Sequence, residues 1–260
     1  MLSVETYPTL AEASQAMTDR SRFLAGGTLV MRAVNYGDQG FDRIVRARQV
    51  DRDIRTESGG LRIGAGATMA DVLASRDAAL LHVVAARIGG PAVRNMATVG
   101  GNLFAPNPYG EFTTALLALD AQVVGVNGQT TPIESFLSGR AHHRGLIAAV
   151  TVPRVSEGDF RFLKATRIKP KGVAIMTIAA TLTRGDTRLA FGNMGPTPLR
   201  AKSAERALNN ATLDERGIAQ ALEVCTQDLQ PADDPLASSW YRREVAPVHL
   251  KRLLLNGGRR

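Results

Sequence analysis

Residues 160–192 set the tightest limit on what this chain can fold into. "FRFLKAT" is followed by "VAIMTIAATLTRGDTRLAFGNMG", whose last two apolar runs are separated only by a Gly185-Asp186 turn signal. Strands joined by so short a turn pair antiparallel, because a parallel crossover needs a dozen or more residues. A doubly wound parallel sheet is therefore excluded for this part, and the expected class is α+β. Residues 199–260 read as helical around one Pro-rich break, "QPADDPLASS". The chain finishes on "WYRREVAPVHLKRLLL", where Trp240 and Tyr241 are expected to anchor the last helix in a core.

The first half alternates differently. "LSVETYPTLAEASQAM" predicts a strand and then a helix, with Thr9 as N-cap and Glu12 three residues on, a capping-box pattern. "SRFLAGGTLVM" predicts a strand running into Gly26-Gly27. "GGLRIGAGATMADVLAS" predicts a strand, a Gly-rich turn and a helix capped by Thr68, with Asp71 in its first turn. A helix within 78–90 should stop at Gly89-Gly90-Pro91. "TTALLALDAQVVGVNGQTTPIESFLSG" predicts a helix, a hairpin turning at Asn127-Gly128, and a short helix. The strand "GLIAAVTVPRV" ends at Pro153, so the best domain boundary lies near 153–160. The expected organisation is a domain over 1–155 followed by a smaller domain of antiparallel sheet plus helices over 156–260.

Several function classes fall away on composition. The charge of +8 is dispersed: Arg43, Arg46, Arg48, Arg52 and Arg55 interleave with Asp42, Asp51 and Asp53. That pattern favours a solvated surface over a nucleic-acid site. Cys225 is the one cysteine, which excludes a disulfide framework, a cysteine-ligated cluster or a cysteine zinc site within this chain. Its surroundings predict a buried, inert thiol. His82, His142, His143 and His249 show no metal-ligand spacing, and no nucleophile motif occurs. No apolar run approaches the roughly 20 residues that span a bilayer. The polar N-terminal stretch and the cysteine usage give a cytoplasmic expectation.

Two glycine pairs, Gly26-Gly27 and Gly100-Gly101, remain as candidates for chemistry. Each is expected at the end of an apolar strand and lies beside a threonine, Thr28 or Thr98. Successive backbone N–H groups in such turns can form nests for phosphate oxygens, with the Asn102 amide as a further donor. Neither matches GxGxxG opening a helix, nor a P-loop. Spacing alone leaves two readings open: turns that need no ligand, or two halves of a pyrophosphate grip. Glu111 is equally two-sided, as an acid in the first turn of a helix or as an acceptor for ligand hydroxyls.

In order and spacing, "FLAGGTLVM" (23–31), "RIGAGATMADVLAS", "IGGPAVRNMATVGGN", "ATVGGNLFAPNPYGEFTTALLALDA" (97–121), "AFGNMGPTPLRAKSAE" and "SSWYRREVAPVHLKRLL" resemble the FAD-binding medium subunits of molybdenum hydroxylases. This is the xanthine dehydrogenase, aldehyde oxidoreductase and carbon monoxide dehydrogenase family, and the resemblance implies a two-lobed, vanillyl-alcohol-oxidase-type FAD domain with lobes over about 1–55 and 56–155. The resemblance covers nearly the whole chain. It implies that Leu24, Ala25, Gly26, Gly27, Thr28, Leu29 and Val30 wrap the FAD phosphates and ribityl chain. Ala97, Thr98, Val99, Gly100, Gly101 and Asn102 would close from the other side, with Asn107 and Gly110 nearby. Glu111 stands where the family usually has an aspartate facing the ribityl hydroxyls, and Asn107 where serine is common. Lys169 and Lys171 occupy "RIKPKGVAIM", a stretch implied to lie near the flavin ring, and Lys171 is the cofactor-binding candidate there.

The implied role is electron transfer. A molybdopterin-binding large subunit and a [2Fe-2S] small subunit would complete the enzyme. FAD on this chain would pass electrons to NAD, oxygen or another acceptor. No catalytic acid, base or nucleophile is expected on this chain. A dimer of heterotrimers is the family expectation for assembly, without nucleic acid or membrane. Two rivals remain on sequence: a stand-alone flavin oxidase of related fold, which would need its own substrate pocket, and a non-enzymatic basic module.

Overall fold

The computed structural model describes residues 2–168 and 172–256. It divides into two compact units. The first comprises Met1–Ala105 and Ala121–Val152; the second comprises Pro106–Asp120 and Pro153–Arg260.

The first unit holds two sheets. Strands β1 (Ser3–Thr9), β2 (Ser21–Phe23) and β3 (Arg43–Gln49) form the first, in the order β1-β3-β2, with both pairs parallel. The helices Leu10–Gln15 and Val30–Asn35 supply the crossovers. Thr9 caps the former as the sequence predicts, its hydroxyl accepting from the Glu12 N–H at 3.2 Å. Ala13, Val45 and Leu146 form a small core here.

Strands β4 (Ile54–Glu57), β5 (Gly60–Gly64), β6 (Gln122–Gly125), β7 (Thr130–Pro132) and β8 (Ile147–Pro153) form the second sheet, in the order β4-β5-β8-β6-β7. The β6–β7 hairpin turns at Asn127-Gly128 as expected, with Gly128 at φ 79°. Between β5 and Ala105 this unit has the short helices Met69–Ala74, Ala79–Ala85, Pro91–Arg94 and Val99–Leu103. Thr68 and Asp71 make the reciprocal capping box on the first of these. The second ends before Gly89, at φ 51°.

The second unit holds strands β9 (Phe160–Thr166), β10 (Ala174–Thr183), β11 (Asp186–Gly192) and β12 (Leu199–Arg200). They form an antiparallel sheet in the order β12-β11-β10-β9, with Gly185 turning the β10–β11 hairpin. The first eight residues of β10 are buried, which accounts for their nearly unbroken apolar run. Thr177 and Thr181 face the helix Glu111–Ala118: the Thr177 hydroxyl meets that of Thr114 at 3.1 Å, and Thr181 donates to the Ala118 carbonyl at 2.8 Å. On the other face Met176, Ile178 and Ala180 pack with the helices Lys202–Leu208, Ala219–Val224 and Ser239–Asn256. All eight residues of Glu111–Ala118 are buried, the mark of a helix surrounded on every side.

Trp240 and Tyr241 do not anchor the last helix: they are 69% and 42% exposed. The inward face is set by Arg242, Ala246, Leu250, Leu253 and Leu254, a register that turns residues 240 and 241 outward. The anchor is Arg242, 1% exposed. Its Nε donates to the Ile175 carbonyl, one terminal nitrogen to the carbonyls of Ala232 and Ala237, and the other to Asp234 at 2.7 Å. A buried guanidinium costs little only when its donors are all engaged in this way. Cys225 is buried as expected, and burial pushes its thiol up to about 11.

Burial opposes ionisation of Asp234, but the Ala237 and Leu236 N–H groups and Arg242 outweigh it and hold the carboxyl below its usual range. A depressed carboxyl stabilises above its unfolded pKa and loses that contribution as pH falls through the folded value. The thermal midpoint should therefore be insensitive to Asp234→Asn in acid well below pH 4 and clearly lowered by it at neutral pH, as measured by calorimetry.

Candidate functional site

The first glycine turn is open on its donor side. Leu24 still bonds back to β3, its N–H donating to Val45 at 2.8 Å. The chain then leaves the sheet. The carbonyls of Gly27 and Leu29 are used at once, by the N–H groups of Met31 and Ala33. The N–H groups of Ala25, Gly26, Gly27, Thr28 and Leu29 have no hydrogen-bond acceptor among the described residues. Ala25 is exposed and residues 26–29 are half-buried, so these donors are within reach of water or of a ligand. Gly27 sits at φ 74°, in the left-handed region that glycine enters without penalty.

This turn touches the second segment directly. A Cβ on Gly26 would lie 1.6 Å from the Met96 carbonyl oxygen and 3.3 Å from the Ala97 Cα. Only glycine permits that approach, so the structure brings residues 24–30 and 97–102 together within one unit, as the sequence expects.

The second segment differs from expectation. Gly100 and Gly101 do not end a strand; they lie within the five-residue helix Val99–Leu103. Thr98 is its N-cap, accepting from the Gly101 N–H at 3.1 Å. A single antiparallel bridge, Thr68 to Thr98, precedes it. The Val99 N–H donates to Ala67 at 2.8 Å, Gly100 to Ala65 at 2.9 Å, and Asn102 to Thr98 at 3.0 Å. The Asn102 side-chain amide also donates to the Thr98 carbonyl, at 2.8 Å. The donors that would make a second nest are thus consumed internally, and the segment forms a wall rather than a cradle. The physical reason is the supply of acceptors: the carbonyls of Ala67 and Ala65 take the Val99 and Gly100 donors, and Thr98 takes those of Gly101 and Asn102.

Sequence reasoning missed the partners of this wall. Ala65, Ala67 and Thr68 come from "GAGAT", and a Cβ on Gly100 would lie 3.0 Å from the Ala65 Cβ. The run Gly64-Ala65-Gly66-Ala67 was the available signal, since small residues let two backbones approach. Arg140 was missed entirely. It donates to the Leu103 and Ala105 carbonyls at 3.2 and 3.1 Å.

Asn107, Gly110 and Glu111 belong to the second unit. The Asn107 amide donates to the Gly195 carbonyl at 2.8 Å, and Gly110 is the N-cap of Glu111–Ala118. Glu111 is buried and lies 2.7 Å from the Lys164 ammonium, itself 9% exposed. A carboxylate taken so far from water requires a cation, and Lys164 of β9 supplies it. Lys171 and Lys169 lie outside the described residues.

Residues 2–155 match the family model described as the FAD binding domain in molybdopterin dehydrogenase, and 161–256 match the CO dehydrogenase flavoprotein C-terminal domain. The chain belongs to the molybdopterin dehydrogenase flavoprotein family. Its relatives in this family are subunits of oxidoreductases. The Xanthine dehydrogenase FAD-binding subunit of Escherichia coli O157:H7 is 29% identical, over 95% of this chain and 92% of that protein. The Glyceraldehyde dehydrogenase medium chain of Sulfolobus acidocaldarius is 25% identical over 88% of each. Carbon monoxide dehydrogenase from Hydrogenophaga pseudoflava, 23% identical, shares the fold at a TM-score of 0.86 over 96% of this chain and 95% of that one. Among the described residues of this flavoprotein chain no helix is long and apolar enough to cross a membrane.

Gly26→Ala should force the turn off Met96 and weaken FAD binding by at least about tenfold, the equivalent of about 1.4 kcal/mol. Flavin fluorescence titration measures it, with far-ultraviolet circular dichroism expected to stay unchanged. Lys164→Met should cost about 3–5 kcal/mol in denaturant unfolding by stranding the buried Glu111 carboxylate, and Glu111→Gln in the same chain should recover part of that loss.

Proposed function

We propose that this chain is the electron-transfer subunit of a molybdenum hydroxylase, holding FAD by its phosphates on the donor row Ala25–Leu29. The carrying observation is that row of N–H groups without acceptors, backed by the Gly26 contact with Met96. Phosphate oxygens are strong acceptors, and a pyrophosphate spanning the row would satisfy several donors at once. Thr28 adds a hydroxyl beside it. The wall at Thr98–Asn102 would exclude water from the bound diphosphate, its rigidity coming from the bonds to Ala65 and Ala67. In this reading the first loop binds and the second bounds the site.

FAD, when bound, supplies the redox chemistry, and the protein positions it. In this reading the chain accepts electrons from iron–sulfur clusters of a small [2Fe-2S] subunit and delivers them to NAD, oxygen or another acceptor. A molybdopterin-binding large subunit performs the substrate chemistry. The assembly is a dimer of heterotrimers working in the cytoplasm. Glu111, engaged by Lys164, serves the second unit rather than the ribityl hydroxyls.

Purified with its natural partners, the complex should show flavin absorption together with that of iron–sulfur clusters, contain molybdenum and iron, and release FAD on acid denaturation in amounts equimolar to this chain. A colourless chain that fails to take up added FAD would contradict the cofactor role. A yellow chain that oxidises a small substrate without partners would favour a stand-alone oxidase.

A further inference from the structure

The helix Val99–Leu103 is too short to persist alone, since five residues close hardly more than one turn. Its N-terminal end is held by Thr98 and by the carbonyls of Ala65 and Ala67. Its C-terminal end has its own requirement, because the last carbonyls of a helix have no partners within it. The Gly101 and Asn102 carbonyls accept from the N–H groups of Phe104 and Ala105, while the Leu103 carbonyl, and that of Ala105 just beyond the helix, are met from a distant part of the sequence. The Arg140 guanidinium, at the end of the helix Ile133–Gly139, reaches both Leu103 and Ala105 through one terminal nitrogen. No carboxylate among the described residues pairs with Arg140. Burial holds its pKa below the usual arginine value, yet a guanidinium remains charged at neutral pH. A cation at this end also complements the helix carbonyls. The same contact is reinforced beside it. Phe104 packs against Phe136 and His143 with ring centroids 5.5 and 5.9 Å away, and Phe136 and His143 meet at 5.1 Å.

We propose that Arg140 is a positioning residue for FAD: by capping Leu103 and Ala105 it fixes the far end of the Gly100-Gly101 wall, and so sets how tightly the cofactor is enclosed. The inference rests on the reading of residues 25–29 and 97–102 as the FAD site. Arg140 does not touch the cofactor in this account. It acts through the helix, so its loss loosens the wall and leaves the donor row intact.

The test uses the full chain, stripped of flavin and titrated with FAD. Arg140→Met should weaken FAD binding by about tenfold or more, as expected when charge-assisted hydrogen bonds to half-buried carbonyls are lost. The loss should lie mainly in a faster FAD dissociation rate, and the visible circular dichroism of the bound flavin should change at saturating FAD. Arg140→Lys, which keeps charge and donors, should recover most of the affinity. Arg62→Met is the control, since the Arg62 guanidinium pairs with Asp51 in the same unit and makes no hydrogen bond to residues 97–105 among the described residues. It should leave both flavin signals unchanged. Should Arg140→Met not fold, amide hydrogen exchange in Arg140→Gln decides: exchange at 101–105 should quicken relative to the natural chain, and unchanged exchange there would overturn the inference. Wild-type FAD affinity and an unaltered flavin signal in Arg140→Met, or equal losses in Arg62→Met, would overturn the inference while leaving the FAD site standing. A natural chain that takes up no FAD would remove the site itself.

Discussion

The first unit is organised around one close approach, the Gly26 backbone against the Met96 carbonyl. It requires a residue without a Cβ, a turn that leaves β2 abruptly, and a second segment held rigid enough to press against. Each requirement is met by a different part of the chain. Val45 fixes the last strand-like residue before the turn. Ala65, Ala67 and Thr98 lock the opposing helix from one end, and Arg140 from the other. What is left over is the donor row at 25–29. These N–H groups lie in an exposed to half-buried turn and have no protein acceptor among the described residues. In the proposed reading an anion bound along the row would satisfy these donors.

The second unit follows the opposite rule, in that its buried charges are satisfied internally. Arg242 uses three carbonyls and Asp234, Glu205 is bonded by Arg200 and the Leu189 N–H, and Glu111 has Lys164. Such networks fix where helices sit on a sheet more than they add stability. The helix Glu111–Ala118 shows this: with every residue buried, apolar surface alone gives it no preferred rotation, and the Glu111–Lys164 pair with the Thr114–Thr177 contact supplies one.

Much of this was legible in the sequence, and the misses have common causes. Hairpins at Asn127-Gly128 and Gly185, and caps at Thr9 and Thr68, were readable because their chemistry is local. The meeting of 24–30 with 97–102 was readable only through the family's motif order. Local rules failed at Gly100-Gly101, where a Thr98 cap overrode the low helix propensity of glycine. They failed at Trp240, where aromatic bulk suggested burial but the register was set by Arg242. Lys164 and Arg140 were invisible for a different reason: each matters through a partner far along the chain, and spacing carries no record of such pairs.

The central claim is that residues 25–29 bind phosphate through their backbone. Amide hydrogen exchange of the full chain, read residue by residue with and without FAD, tests it most directly. The account predicts fast exchange at Ala25–Leu29 in the absence of FAD and strong protection on its addition, with little change at 99–102, which are already bonded. Unchanged exchange at 25–29 on saturation with FAD would contradict it.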